Sequence, residues 1–401
     1  MRKEVSNHGW LLVAGLLLFG MAALPTATCS AADVTSSVDL KFWGRAIFNM
    51  HYDTATQYVD FMSYTTENTD NTTESFNFNP RDTRLGFAAS QKSGDWTYSG
   101  VFEMDFYGSN ASNNLLPRLR LGFAEAKNGR GLSVRGGQDW VPVAQQNPGT
   151  IDFGVQSWSG NLWWRVPQLT MRYRSNQIEY LVGAMKHRIS GTQELQEKMP
   201  WLMGRIGLYD LMGKGSLLAL GGAWRSVTVD YQYKQYAIPP GEEGHDPDDY
   251  TMAVDHNDYT PYLAALEFVV PFGDSGIVLN GEAYYGAGVG REFVHYGFDY
   301  NPAHPDGATE IKSQGGFASL KIPASPKIDL NFGFGMDDPD DDDMVAASVP
   351  YLKNTSFFGN LKYKVTKQFG WGLEICHFIT DKGPENEVTY QRFTGSWWFV
   401  F

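Results

Sequence analysis

Arginine side chains recur at alternating positions in the first half of the chain, where they share a face with a few acidic residues. Arg118 and Arg120 are two residues apart, and Glu103 and Asp105 repeat that spacing. Residues two apart on a β-strand point to the same face. Guanidinium groups bind carboxylates through paired hydrogen bonds, and arginines lining a narrow aqueous passage attract anions. We assign to such an inward face Arg84, Glu103, Asp105, Arg118, Arg120, Arg135, Arg172, Arg174 and Glu282.

The sequence leaves two roles open for these arginines. In one, Arg118 and Arg120 favour the passage of anions, supported by the other four arginines. In the other, the arginines pair with Glu103, Asp105 and their neighbours and only brace a wall. The second half of the chain supplies further inward-facing charges, which are Glu267, Glu282, Asp329 and Glu374 together with Lys321, Lys362, Lys364 and Arg392.

The elements that must position these side chains are β-strands with one aromatic face. In the final segment Phe393, Trp397, Phe399 and Phe401 share one parity, and lipid covers such a stripe in an outer-membrane barrel. Pro80 interrupts the second segment and shifts its parity, as a bulge would. We predict sixteen strands, near residues 39–53, 76–91, 95–108, 116–127, 131–141, 161–175, 178–187, 200–209, 215–230, 259–272, 275–289, 313–323, 327–336, 354–366, 368–381 and 388–401.

The ends of the chain are typical of an exported barrel. Arg2 and Lys3 precede an apolar run and a group of small residues, which predicts a secretory signal peptide over residues 1–32 that is removed. Cys376 is then the only cysteine, so no intramolecular disulfide can form. A C-terminal aromatic residue such as Phe401 resembles the signal by which Gram-negative bacteria deliver barrels to the outer-membrane insertion machinery.

The composition agrees with an outer-membrane barrel and argues against proteins that bind nucleic acid or a metal ion. Aromatic residues make up 14% of the chain although its mean hydropathy is −0.33, which is expected when only alternate residues face lipid. The formal net charge of −13 argues against nucleic acid as a partner. The Asp-rich run over 336–344 lacks the spacing of a dedicated calcium loop, so we predict no metal and no cofactor.

The connections alternate between short turns and long loops, as expected for a single barrel over 33–401. Sixteen strands enclose a lumen wide enough for an aqueous channel. The long loops are predicted near 54–75, 109–115, 142–160, 188–199, 231–258, 290–312, 337–353 and 382–387. The third of them, 142–160, is our candidate for a loop that folds inward and constricts the channel. An ordinary surface loop remains the alternative.

Several motifs, in the same order along the chain, resemble the DcaP-like family of trimeric outer-membrane porins. They are residues 81–87, 102–108, 119–125, 136–140, 165–169, 281–286 and 360–363. The resemblance implies a homotrimer of sixteen-stranded barrels that admits small, often carboxylated, solutes. One departure is that family members can carry a helical extension before the barrel, whereas only residues 33–38 precede the first strand predicted here.

The sequence therefore predicts an all-β transmembrane antiparallel barrel of the porin type in the outer membrane of a Gram-negative bacterium. Small hydrophilic solutes should pass by passive diffusion, with anions such as carboxylates preferred. We predict no enzymatic activity, because no histidine is paired in a way that suggests a catalytic triad. A barrel enzyme of the lipase or protease type, or a structural or adhesive barrel, is the alternative.

Overall fold

The computed structural model describes residues 38–55, 74–109, 115–188, 194–196, 199–236, 248, 250–294, 299–301, 307–345, 352–383 and 386–401. The predicted signal peptide, residues 1–32, lies outside the described residues and stays a prediction. Residues Leu40–Phe401 form one compact unit.

Twenty-two strands follow one another along the described chain. They are β1 (Asp39–Asp53), β2 (Ser75–Asn79), β3 (Arg84–Ser93), β4 (Trp96–Asp105), β5 (Arg118–Asn128), β6 (Leu132–Trp140), β7 (Arg165–Arg174), β8 (Ile178–Met185), β9 (Glu194–Gln196), β10 (Trp201–Tyr209), β11 (Leu217–Trp224), β12 (Val227–Tyr236), β13 (Tyr250–Tyr259), β14 (Tyr262–Pro271), β15 (Val278–Ala287), β16 (Tyr300–Asn301), β17 (Thr309–Glu310), β18 (Lys312–Ser325), β19 (Ile328–Pro339), β20 (Lys353–Lys364), β21 (Phe369–Asp381) and β22 (Glu387–Val400). One short α-helix, α1 (Asp341–Val345), a 3₁₀ turn over Gly273–Ser275 and a π turn over Gly290–Val294 lie in the connections. None of the helices in the described ranges is long and apolar enough to cross a bilayer.

All strands except β9, β12, β13, β16 and β17 form one antiparallel sheet that closes on itself. The closing pair is β1 with β22, in which Phe48 lies opposite Trp397. Both β2 and β3 pair with β1, because Pro80, which has no backbone N–H, interrupts a single wall strand between them. The sheet of seventeen segments is therefore a closed barrel of sixteen wall strands, and the predicted fold class is confirmed.

Strand alternation separates an apolar outer face from a polar lumen, as the sequence predicts. On β1 the outward Phe42 is 70% exposed, whereas Asn49 and His51, which face inward, are buried. Rings of neighbouring strands stack on the outer face, for example Phe48 with Phe78. Short turns join the strands at one rim, where Phe401 hydrogen-bonds to the backbone of Gly44, and long connections join them at the other.

One strand prediction is wrong, and another starts too early. The strand predicted over 215–230 ends at Trp224, and β12 begins at Val227 in a separate sheet with β9 and β13. Most of the predicted loop 231–258 therefore lies in or between β12 and β13. The break occurs at Arg225, whose buried guanidinium group reaches Glu292 and Tyr300 in the next connections. The strand predicted over 161–175 begins only at Arg165.

Candidate pore site

The connection between β6 and β7, residues 141–164, is called the inward loop because it lies inside the barrel. The predicted constriction loop 142–160 falls within it. Its polar and backbone groups hydrogen-bond to side chains on six strands distant along the chain, which are β14, β15, β18, β20, β21 and β22. An external loop could not reach these inward-facing side chains.

The centre of the inward loop is held by one glutamate on β21. The carboxylate of Glu374 accepts hydrogen bonds from the backbone N–H groups of Ile151 (2.6 Å) and Asp152 (2.7 Å). Asn360 donates from its amide both to Glu374 and to the Gly149 carbonyl, each at 2.8 Å. Charge-assisted bonds of this kind are stronger than neutral ones, so Glu374 is a strong attachment of the loop centre.

Asp152 adds an ionic attachment at the same level. Arg392 on β22 contacts Asp152 at 3.0 Å and Asp53 on β1 at 2.7 Å, and all three side chains are buried. Because both acids satisfy the same guanidinium group, the loop is tied to the seam where the barrel closes. Lys362 on β20 donates to the carbonyls of Gly149 and Thr150.

Further attachments flank this centre along the loop. Glu282 on β15 accepts from the backbone N–H of Leu162, and Gln146 donates to Glu267 on β14 at 2.9 Å. Other contacts are Gln156 with Ser356, Asn354 with the Trp158 carbonyl, Asn280 with the Asn147 carbonyl, and Gly149 N–H with Ser319. The loop is thus fixed along most of its length.

A group of charged residues that we call the arginine cluster lies beside the inward loop, and several of its members line the larger of two cavities there. It consists of Arg45, Arg84, Arg118, Arg120 and Arg165 with Asp82, Glu103 and Asp105. In it Asp82 bridges Arg45 (2.6 Å) and Arg84 (2.8 Å). Asp105 bridges Arg118 and Arg120, each at 2.8 Å, and Glu103 accepts from Arg120 at 2.7 Å. The predicted pairing of arginines with Glu103 and Asp105 is present.

In most of these pairs the carboxylate lies deeper than the guanidinium group. The side chain of Arg118 is 33% exposed and that of Asp105 is 0% exposed, and the corresponding values for Arg45 and Asp82 are 31% and 5%. Arg120 is the exception, since it is itself buried. The surface that the cluster presents to the lumen is therefore mainly cationic, although its members are paired.

The other predicted arginines have more balanced surroundings. Arg135 contacts both Glu125 and Asp139. Arg172 lies 3.6 Å from Glu179 on β8, which also contacts the buried Arg205. Arg205 reaches Glu267 as well, at 2.8 Å. These groups brace the wall, and the cationic excess lies in the arginine cluster.

Two cavities adjoin the inward loop. The larger, of about 410 Å³, is lined by Arg45, Arg84, Arg120, Lys362, Asp82 and Asp152 together with aromatic rings of Trp140, Phe153, Trp163 and Trp398. The smaller, of about 230 Å³, is lined by Arg135, Arg172, Glu125 and Asp139 among other residues. Of the predicted site residues, Arg84 and Arg120 line the larger cavity, Arg135 and Arg172 line the smaller, and the others line neither. The guanidinium group of Arg174 stacks on Tyr209, 3.6 Å from the ring centre. Glu282 lies beneath the loop rather than on an open surface.

Arg165 was missed by the sequence analysis. It has the parity of the outward-facing Leu169 and Met171, yet its guanidinium group lies over the rings of Trp140 (4.7 Å) and Trp163 (5.5 Å). The cause is its position as the first residue of β7, where the chain leaves the inward loop. The signal that could have found it is the sequence Trp163-Trp164-Arg165 directly before a strand.

A second group that the sequence did not reveal lies beyond the wall strands. Arg225 contacts Glu292 at 3.0 Å, and the backbone N–H of Arg188 donates to the same carboxylate at 2.6 Å. Burial raises the pKa of Glu292 to about 7, against the lowering effect of Arg225. The guanidinium group of Arg188 stacks on Trp164. This group ties the outer connections to the end of the inward loop.

Among the described residues, no group of three or more His, Cys, Asp or Glu side chains is arranged to hold a metal ion. Within the Asp-rich run, Asp341–Asp343 form the start of α1. A closed barrel of sixteen strands with a long loop folded into its lumen defines the porin class of channel proteins.

Solved structures agree with this class, whereas no family model and no curated protein matches the chain. The outer-membrane channel DcaP of Acinetobacter baumannii superposes with a TM-score of 0.72 at 18% identity, covering 91% of this chain and 97% of that one. An anion-selective porin from Comamonas acidovorans gives 0.61 at 10% identity, with coverages of 91% and 100%. OprB of Pseudomonas putida gives 0.56 at 12% identity, with coverages of 90% and 94%. The chain has the fold of outer-membrane porins, and the resemblance to the DcaP-like porins is confirmed at the level of the fold.

Proposed function

We propose that this protein is an outer-membrane porin that lets small hydrophilic solutes diffuse passively and prefers anions such as carboxylates. The observation that carries the proposal is the depth of the ion pairs in the arginine cluster. Arg45, Arg84 and Arg118 face the lumen while their carboxylate partners are buried. A solute in the lumen is therefore closer to positive than to negative charge.

The net charge of the arginine cluster also favours anions. Five guanidinium groups face three carboxylates, so a positive excess remains after pairing. The nearby acids that hold the inward loop, Asp152 and Glu374, are buried and already bonded to Arg392 or to loop N–H groups. Low-dielectric walls focus the field of such an excess into the passage. The acidic outer connections act less, because salt screens exposed charges over about 8 Å.

The inward loop would set the width of this passage. It places the side chains of Ile151, Phe153 and Trp163 against the larger cavity, which Arg45, Arg84 and Arg120 also line. Solutes would then pass close to Arg45, Arg84 and Arg120, where charge has its largest effect. The proposed constriction is thus formed by the inward loop and the arginine cluster together.

The test is the reversal potential of the purified protein in a planar bilayer under a potassium chloride gradient. We expect a potential of the sign that chloride permeation produces. A potential of the opposite sign would contradict the anion preference while leaving the porin proposal intact. A bilayer that stays sealed would contradict the porin proposal itself and favour a structural or adhesive barrel. Turnover of phospholipid or peptide by the same preparation would favour an enzyme.

We also propose that the barrel assembles as a homotrimer in the outer membrane of a Gram-negative bacterium. The support is the likeness to porins, which include a trimer form of the Vibrio cholerae outer-membrane protein OmpT (TM-score 0.55, 12% identity). Phe401, which is 58% exposed at the short-turn rim, is proposed as the residue that the insertion machinery recognises. We expect light scattering in a mild detergent to give three times the mass of one chain. A single-chain mass under conditions that keep the barrel folded would contradict the trimer.

A further inference from the structure

Arg165 is a partly buried cation without an ionic partner among the described residues. No carboxylate lies within 4 Å of its guanidinium group in the described part of the chain, and its Nη1 atom is buried with no hydrogen-bond partner there. Its contacts are instead the rings of Trp140 and Trp163. Removing part of a charged group from water without a partner is costly. Trp140 and Trp163, the rings that Arg165 contacts, line the larger cavity, and an unpaired charge beside a cavity points to a ligand.

The nearby carboxylates are already paired with other arginines. Asp105 accepts from Nε and Nη2 of Arg118 and from Nη1 of Arg120, and Glu103 accepts from Nε of Arg120. Arg120 also lies over the Trp140 ring, 5.8 Å from its centre, so that the ring contacts both cations. The excess positive charge of the arginine cluster is therefore concentrated around Trp140.

Aromatic side chains enclose this point. Phe153 of the inward loop lies below the guanidinium groups of Arg118 (5.9 Å) and Arg120 (5.8 Å) and forms an edge contact with Trp163. Rings of this kind limit the access of water to the cations while leaving their N–H groups able to donate. Charge-assisted hydrogen bonds are strongest in such a setting.

We propose that Arg165, with Arg120 and Arg118, forms a binding site for one small oxyanion in the lumen, beside the larger cavity. The ligand class is an anion with at least two oxygen atoms, a carboxylate or a phosphate, because a guanidinium group binds two oxygens in parallel. This proposal rests on the proposed porin function and makes it more specific. Transport of oxyanions then involves a bound intermediate and saturates, whereas a cationic wall alone would give currents that rise steadily with concentration.

The experiment measures single-channel current against concentration for potassium acetate, potassium phosphate and potassium chloride. We expect the current to saturate with acetate, phosphate or both, and to saturate at much higher concentration with chloride. Saturation with acetate alone identifies a carboxylate site, and saturation with phosphate alone identifies a phosphate site. Currents that rise linearly with both oxyanions would overturn the site, even if the reversal potential still shows anion preference.

Variants at Arg165 test its part in the site. Arg165→Gln removes the charge and should raise the half-saturating concentration about tenfold or more, since a hydrogen bond to a charged group contributes roughly 1.5–3 kcal/mol. Arg165→Lys keeps the charge but not the paired donors, and should give an intermediate value. Arg130→Gln, in the exposed turn between β5 and β6, is the matched control and should behave as the parent. Equal half-saturation in the parent and both Arg165 variants would overturn the assignment.

Discussion

Replacing Arg45, Arg84 and Arg118 together with glutamine is expected to abolish the anion preference of the channel. These three guanidinium groups are the partly exposed members of the arginine cluster, with side-chain exposures of 31%, 22% and 33%. Their removal leaves two arginines and three carboxylates, so the local excess changes from positive to negative. Asp82 loses both of its guanidinium partners in this variant, and glutamine, unlike alanine, keeps amide N–H groups that can still donate to it.

The expected effect is large because the charges lie close to the passage. At an effective dielectric constant of about 20, a unit charge about 8 Å from a permeating anion contributes roughly 2 kcal/mol before screening. Since about 1.4 kcal/mol corresponds to a factor of ten, the ratio of anion to cation permeability should fall by about tenfold or more. The measurement is the reversal potential under a potassium chloride gradient, compared with that of the parent.

A control with the same change in net charge separates local from global electrostatics. Lys92, Arg130 and Lys214 are exposed residues in or next to the turns at the short-turn rim, and the described structure shows no ion pair for them. Replacing these three with glutamine should leave the permeability ratio close to that of the parent. An unchanged ratio in the Arg45, Arg84 and Arg118 variant would assign these arginines to bracing of the wall alone.

Arg120 is left in place in this variant because its removal would confuse two effects. Its guanidinium group is buried and holds both Glu103 and Asp105, so Arg118→Ala combined with Arg120→Ala would leave Asp105 buried and unpaired. Removing one partner of a buried pair costs about 3–5 kcal/mol. A change of selectivity in that double variant would therefore be hard to separate from a disturbed barrel wall.

The wall of the barrel could be predicted from the sequence because period-two alternation fixes which side chains face outward. The alternation of Trp96, Tyr98 and Phe102 with Glu103 and Asp105 places both acids inside, as observed. The same rule could not find the break after Trp224. Alternation continues across it, and what redirects the chain is a buried ion pair between Arg225 and Glu292, which are far apart in sequence.

The sequence predicted most of the residues that face the lumen but not the groups that they bind. Glu282 and Glu374 were expected to face the lumen, and they do lie inside, but their partners are backbone N–H groups of the inward loop. A backbone group has no residue type, so no sequence pattern marks it as a partner. Arg165 was missed for a related reason, since strand parity does not apply to a residue at the point where a strand begins.

Glu374→Ala is expected to release the centre of the inward loop and to raise the single-channel conductance severalfold. The substitution removes the acceptor of three donors, the N–H groups of Ile151 and Asp152 and the amide of Asn360. Each buried donor left unpaired costs roughly 1–3 kcal/mol. That cost is removed if the loop centre moves away from β21 and its N–H groups contact water, and the same movement widens the passage.

Matched variants distinguish this effect from a general loss of charge. Glu387→Ala removes an exposed glutamate at the start of β22 and should leave the conductance unchanged. Glu374→Gln retains one acceptor oxygen, but its amide nitrogen cannot accept from the loop. Its conductance should therefore lie between that of the parent and that of Glu374→Ala. A variant in which residues 146–158 are replaced by a short Gly–Ser linker gives the conductance of the barrel without the loop centre.

The ratio of these conductances decides how the loop acts. If Glu374 is the main attachment, the conductance of Glu374→Ala should approach that of the loop-shortened variant. Its current noise should be larger, because the released segment still enters the passage. If Arg392 with Asp152 holds the loop independently, Glu374→Ala should stay near the parent, and adding Asp152→Asn should produce the increase. A conductance equal to that of the parent even in the loop-shortened variant would show that the inward loop does not limit the current, and the constriction would then have to lie elsewhere along the barrel.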